Sequence, residues 1–356
     1  MAEMIPRTIA VLGSLAALAG RAGAQQHFTV EPLAHGVYAV VRREPFAMAN
    51  HANTLLIVGD SDVVVVDAQF TRAATLEVLA ALRRLTPRPV SYVINTHWHD
   101  DHVAGNQVYR DSFPGVQFIA HANTREDLAT LGAANRKGQV SGGPAALAGI
   151  DSLLRRGLTL DSTPVSASDR RAMESTLAIA RQYLAEAPGF RETLPTITFD
   201  DRLTLYRGGR RIEIRWFGRA NTRGDAVVWL PAERIVATGD LVVAPIPFAF
   251  GSFIAEWATA LEGVRALEPT TILPGHGPVM RDDAYLLTLS RMLRAVTEQT
   301  RSAAAGGATL AQAKERVTLA EFRRQLAGDD KWLNYIFTRF FQNPAVSRGY
   351  AEATKR

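Results

Sequence analysis

Residues 95–106 read NTHWHDDHVAGN, which puts His97, His99, His102, Asp100 and Asp101 within six consecutive positions of a chain with 8 histidines in all. Nothing about folding a soluble domain asks for that density. His97 and His99 alternate along an extended segment, so both rings point to one side; Asp101 and His102 follow on the turn and reach a second point a few ångströms away. One loop thus offers two adjacent ligand sets, and the strand VSYVIN, Val90 to Asn95, delivers the chain into it. The chain has no cysteine, which excludes a thiolate nucleophile and a thiolate metal ligand. Histidine and carboxylate donors suit zinc, one or two ions, with iron or manganese as alternatives; such ions activate a water and polarise a carbonyl or phosphoryl group.

The rest of the chain supplies a scaffold for that loop. From Gly36 to Asp67 short β-branched runs alternate with turns (GVYAVVRR, NTLLIVGD, SDVVVVDAQ), and Ala73 to Leu85 has helical periodicity. A second half repeats the pattern, with RLTLYRGGRRIEIRWF as a hairpin turning at Gly208-Gly209, then DAVVWLP and RIVATGD. A helix near Glu256 to Leu267 leads to the strand TTILP and then PGHGP. Strands interleaved with helices predict an α/β layer architecture whose site sits at the loop edge. Between the halves, about residues 122–195, lies a Gly-, Ala- and Ser-rich stretch with one helix, Ser168 to Ala185. It reads as an insertion, too polar and Gly-rich for a buried layer, that folds over the edge carrying the site. After Arg281 the chain reads as helical to its end. The expected organisation is a domain over 25–300 holding the insertion, and a helical extension over 301–356.

With 47% hydrophobic residues, 356 positions suffice for a substantial core. The first 24 residues combine Arg7, a short apolar run from Ile9 to Ala19 and Ala22-Gly23-Ala24, which reads as a signal peptide cleaved after Ala24 and implies a periplasmic or secreted protein. No other run is long enough for stable membrane insertion. The formal charge of +5 is spread along the chain without aromatic interleaving, which argues against nucleic acid as a partner.

Two further strand ends fit the loop. Asp240, in ATGD, and His276, in PGHG, are flanked by glycine, which lets backbone approach a ligand closely. In order, VVVVDAQ, THWHDDH, GRANTRGD, ATGDLV and PGHGP resemble the five motifs of the metallo-β-lactamase superfamily, from about Val37 to Arg281. The resemblance implies a four-layered αββα sandwich, here with a helical insertion and a helical C-terminal extension. It assigns His97 and His99 to a first metal site and Asp101, His102 and His276 to a second. Asp240 bridges the two, and Asp67 orients the loop from behind. The third motif of that family usually carries a histidine completing the first site; here the slot is Asn221, a neutral and poorer donor, so the first site is expected to be the weaker. Arg219 and Arg223 flank it as candidate substrate contacts.

The resemblance also narrows the reaction. Zinc β-lactamases of the superfamily have Cys or Ser at the bridging position, whereas the esterase-like, thioesterase and lactonase branches have Asp. The expectation is a metal-dependent hydrolase of an ester, lactone, thioester or related acyl group, in which Asp101 and Asp240 are the catalytic carboxylates serving a metal-bound hydroxide. The alternative is a periplasmic metal-binding protein that recognises a ligand without turnover. The apolar loops Glu44–His51 and Leu241–Gly251 either border the metals or pack under the insertion; bordering them, they imply a small-molecule substrate with an apolar part. His51 and His121 stay outside the ligand set, His121 as a helix cap. Trp332, Leu333, Ile336, Phe337, Phe340 and Phe341 recur at helical spacing and read as core or as the contact of a homodimer, with a substrate lid or membrane contact as the lesser alternatives.

Overall fold

The computed structural model describes residues 27–354; the expected signal peptide lies outside the described residues. Seven strands form one sheet in chain order: β1 (Phe28–Ala34), β2 (Val37–Arg42), β3 (Thr54–Val58), β4 (Val63–Val66), β5 (Val90–Ile94), β6 (Gln117–His121) and β7 (Ile197–Phe199). β1 to β4 run antiparallel to one another, and β4 to β7 are parallel. The second sheet follows as β8 (Arg202–Arg207), β9 (Arg210–Trp216), β10 (Ala226–Leu230), β11 (Ile235–Val243) and β12 (Thr271–His276); only its last pair is parallel.

The period of two along the strands explains the layering. Val64, Val66, Leu55 and Ile57 meet Ile212, Ile214, Val228 and Leu230 of the other sheet, forming the core between the sheets. Val63, Val65 and Leu56 point the other way, onto α1 (Arg72–Leu85). That helix is capped by Thr71 and buries Ala74, Val78, Leu79 and Leu82 on one face. The run VVVV has no polar alternation because both faces of β4 are covered. α2 (Asp100–Val103) and α3 (Asn106–Ser112) continue the metal loop. On the far side α7 (Ile254–Arg265) and α8 (Ala284–Ala305) cover the second sheet, completing the four layers α, β, β, α.

The insertion differs from its sequence reading. The single expected helix is α6 (Ala167–Glu186), with a capping box between Ser166 and Asp169. It is preceded by α4 (Ala122–Asp127), a π turn, and the 23-residue α5 (Ala133–Arg155), which runs through Gly138, Gly142, Gly143 and Pro144. Propensity argues against that helix. Two anchors account for it: Arg136 is bound near its start, and Ile150 and Leu154 are buried near its end, in the same core as Met173 and Leu177 of α6. The insertion is therefore built on two long helices, α5 largely solvent-facing and α6 partly in the core, entered through the short α4 and the π turn.

The C-terminal segment, α9 (Leu310–Arg316), α10 (Ala320–Ala327), α11 (Lys331–Ile336) and α12 (Asn343–Thr354), is not a separate unit. α12 lies along α8, and Trp332, Ile336, Phe337 and Phe341 are buried in one core with Trp257 of α7 and Leu293 of α8. Four residues of the aromatic stripe are thus core, with Leu333 and Phe340 partly buried against them. Among the described residues no helix is long and apolar enough to cross a membrane. Because Phe337 is fully buried, Phe337→Ala should lower stability by about 3–5 kcal/mol. In urea the variant should unfold in one transition displaced as a whole; an early separate transition for the C-terminal helices would show that they fold independently.

Candidate metal centre

The centre is assembled from behind by Asp67, the first position after β4. Its backbone is left-handed, with φ of 61°, a conformation that costs a non-glycine residue roughly 1–3 kcal/mol and marks a position held by its surroundings. The carboxylate accepts the Thr96 amide at 2.8 Å and the Thr96 hydroxyl at 2.7 Å, and the His102 Nδ1 proton at 2.8 Å. This fixes the tautomer of His102 and leaves its Nε2 facing the site. His276 is oriented the same way: its Nδ1 donates to the His51 carbonyl at 3.0 Å. Asn53 braces that loop by donating its side-chain amide to the carbonyls of Pro274 (2.9 Å) and Gly277 (2.8 Å).

The free edges of the rings converge. His102 Nε2 is 3.2 Å from Asp240 Oδ1 and 3.3 Å from His276 Nε2. His276 Nε2 is 3.0 Å from Asp101 Oδ2, and His97 Nε2 is 3.6 Å from Asp240 Oδ2 and 2.9 Å from His99 Nδ1. Two groups have donor atoms within 4.8 Å of one another, His97 with His102 and Asp240, and Asp101 with His102 and His276. The expected ligands are therefore brought together, with His102 common to both groups and His99 touching His97 at the rim. Asn221 sits beside Asp240, its amide 3.4 Å from Asp240 Oδ2, with its own oxygen 3.4 Å from Ser252 Oγ. Close approach depends on two glycines: a side chain on Gly275 would collide with Asp240 Oδ1, and one on Gly239, whose φ is +51°, with Thr96.

Is this a metal site or a hydrogen-bonded cluster? Two imidazole pairs meet nitrogen to nitrogen, and buried Asp240 Oδ1 has no hydrogen bond of acceptable geometry although His102 is near. Buried polar atoms are rarely left so, and lone pairs aimed at common points are what a cation satisfies. Four imidazoles and two carboxylates, with Asn221 beside them, fit zinc, iron or manganese.

Without a metal the charges are tightly coupled. Burial opposes charge on His102, yet Asp240, Asp67 and Asp101 hold its pKa well above the usual range. Burial would raise Asp101 and Asp240 as well, but the surrounding histidines, His102 first, keep both below it. Burial, with His102 nearby, pushes His97 well down. Behind Asn221, Asp225 accepts the Thr222 amide at 2.6 Å and its hydroxyl at 2.9 Å, pinning the third-motif loop; burial pushes its carboxyl up to about 7.

Asp100 has a different task from its neighbour. It turns away from the donors and accepts Arg136 Nη2 of α5 at 2.6 Å and the Tyr183 hydroxyl of α6 at 2.7 Å. Arg136 also reaches Glu192 at 2.9 Å and lies 3.8 Å over the ring of Phe190. The metal loop thus clamps both helices of the insertion. Nothing in the run Asp100-Asp101 distinguishes ligand from clamp; the partners lie tens of residues away.

Between this centre and the insertion is a cavity of about 750 Å³. Phe46, Met48, Val243, Phe248 and Phe250 line it together with α5 and α6. Met48 also donates its amide to Thr176 of α6 and Trp332 donates to the Phe46 carbonyl, so the apolar loops border the centre and contact the insertion at once. The flanking arginines do not enter: Arg219 pairs with Glu256 and Arg223 with Asp127. Pairing with α7 and α4 took them out of the substrate role expected for them. His121 caps α4 through Asn123, as expected.

A family model described as the metallo-beta-lactamase superfamily matches residues 48–276. The chain is 23% identical over 244 residues to a "Metallo-beta-lactamase type 2" of Bacillus sp. (strain 170), covering 67% of this chain and 71% of that one. It is 28% identical to a protein of the same description from Bacillus cereus, over 40% of this chain and 52% of that one. Identity to a "Linear primary-alkylsulfatase" of Pseudomonas sp. (strain ATCC 19151) is 21%, over 67% of this chain but only 44% of that one. Among solved structures, the metallo-beta-lactamase from Pontibacter korlensis aligns with a TM-score of 0.53 at 18% identity, covering 75% of this chain and 99% of that one. DIM-1 metallo-beta-lactamase aligns with a TM-score of 0.51 at 16% identity, covering 75% and 97%.

Two outcomes test the centre. Asp67→Ala should weaken metal binding by roughly 10- to 100-fold through loss of the His102 orientation, read by competition with a chromogenic chelator; unchanged affinity would remove Asp67 from its role. Because His102 holds a proton in the metal-free state and must lose it to bind, uptake should release protons and affinity should fall as pH falls. Calorimetry in buffers of different ionisation enthalpy measures the release, and a buffer-independent heat would contradict it.

Proposed function

The chain belongs to the metallo-beta-lactamase superfamily, and from that premise we propose that it is a zinc-dependent hydrolase of an ester, lactone, thioester or related acyl substrate. The observation that carries this reading is Asp240, whose two carboxylate oxygens face opposite members of the cluster, Oδ1 towards His102 and His276 and Oδ2 towards His97. A carboxylate so placed can be shared between two donor sets and remain able to accept a proton.

A metal held by Asp101, His102, His276 and Asp240, with a second held more weakly by His97, His99 and Asn221, would supply Lewis acidity towards an acyl carbonyl and lower the pKa of water. The chain's own groups do the rest. Asp240 and Asp101, held ionised by the surrounding histidines, position a nucleophilic water and take its proton. The His51 carbonyl and Asp67 keep the His276 and His102 rings from turning, and the cavity walls exclude bulk water from the acyl group. Iron or manganese fits the same donors. Relatives described as a β-lactamase and an alkylsulfatase suggest lactams and sulfate esters as competing substrates, and a β-lactam amide is the natural side reaction. Export to the periplasm or medium is part of the proposal, on the strength of residues 1–24.

The alternative of a metal-binding protein without turnover is separated by a single-turnover assay against esters, lactones, thioesters, a β-lactam and an alkyl sulfate, with metal content measured in parallel. Fully loaded protein that releases no product from any acyl substrate would sink the hydrolase reading. Asn221→His tests the weaker set: it should tighten the first ion by roughly one to two orders of magnitude, giving two ions per chain where the parent holds closer to one. Equal stoichiometry and affinity in both proteins would place Asn221 away from the metals.

A further inference from the structure

We propose that the substrate carries an uncharged, extended apolar chain, and that Gly138 and Gly142 of α5 form the wall along which this chain lies. The proposal rests on the hydrolase reading of the centre and adds the part of the substrate that does not react. Asn135, Gly138, Gly142 and Ala146 recur at the spacing of one helix face and all line the cavity beside the centre. From Asn135 to Ala146 this face spans about 16 Å at 1.5 Å per residue, a length that matches an extended chain rather than a compact ring.

The glycines on this face have no structural reason within the protein. Gly143 does: a side chain there would press on Leu184 of α6, so its absence lets the two helices close. A Cβ on Gly138 or Gly142 would meet no atom within 4 Å, and both residues weaken the helix relative to alanine. Room is left there that no protein atom uses. It borders the same cavity as the apolar side chains of Phe46, Met48 and Phe248.

Charge sets the rest of the class. Among the described residues lining the cavity none is Lys or Arg. Arg136, Arg219 and Arg223 are each held in ion pairs with carboxylates. Asp67, Asp101 and Asp240 outnumber the charge of one divalent cation, and buried Arg42, which donates to Asn50 behind the cavity lining, offsets only one of them, so the singly loaded centre has no surplus positive charge to draw in an anion. A substrate bearing a carboxylate or sulfate on its tail would lose hydration without gaining a partner, whereas a methylene chain gains by burial.

The test uses the metal-restored protein and p-nitrophenyl esters from acetate to decanoate, with one ester of intermediate length ending in a carboxylate. The kcat/KM should rise about threefold per methylene until the wall is covered, and the anionic ester should fall well below its neutral counterpart. Gly142→Leu should lower the decanoate-to-acetate ratio at least tenfold with metal content unchanged. Gly149→Leu, on the same helix but off the cavity, should leave the ratio as it was. A ratio unmoved by Gly142→Leu, or a preference for the anionic ester, overturns the proposal. Calorimetric binding of decanamide gives an independent reading. If no ester is turned over but decanamide binds and Gly142→Leu weakens it at least tenfold, the hydrolase reading fails and the chain site stands; no binding of decanamide overturns the site as well.

Discussion

The structure depends on one buried carboxylate. Asp67 closes β4 in a left-handed conformation and accepts from Thr96 and His102 at once, so it joins the end of one strand to the loop that follows the next. Remove that acceptor and the Thr96 amide and the His102 ring, both buried, lose a common partner. The close passage of Gly239 against Thr96, and of Gly275 against Asp240, then has nothing fixed to close upon. The geometry of the donors is a property of the contact between two sheets as much as of the histidine loop.

A second carboxylate, Asp100, extends the same rigidity outward. Its partners, Arg136 and Tyr183, belong to the two long helices of the insertion, which also hold the domain through buried apolar residues and through Thr176 and Glu186 of α6. Burial alone would raise its pKa; the guanidinium and the phenol oppose that rise without cancelling it. Adjacent aspartates in one turn thus divide the work: Asp101 turns to the rings of His102 and His276, and Asp100 to the insertion. Replacing a buried pair of this kind by a lone charge is costly, which ties the shape of the cavity to the loop that carries the donors.

Much of this was legible in the sequence wherever the signal is local. The β-branched runs read as strands because both faces of β4 are buried, and the donors at their ends were visible because His and Asp rarely cluster without a task. His121 read as a cap and proved to be one. The failures share a cause. α5 contains glycines and a proline that argue against a helix, and it exists through anchors at Arg136, Ile150 and Leu154 that no local window contains. Arg219 and Arg223 looked free because their partners, Glu256 and Asp127, lie on other elements. The roles of the His51 carbonyl and of Asn53 carry no side-chain signature of their own. The C-terminal helices were legible as a helical extension with an aromatic stripe; that the stripe packs on α7 and α8 depends on partners outside any local window.

The donors come from positions far apart: His102 and His276 are 174 residues apart in sequence yet 3.3 Å apart in space. Loop closure over such a span is paid before any donor pair exists, so an unfolded or half-folded chain presents only the short histidine loop and holds a cation poorly. Metal loading is therefore a late event that follows docking of the two sheets. Any ion such a centre takes up is selected once the sheets have docked, by the cations present at that moment rather than during elongation of the chain.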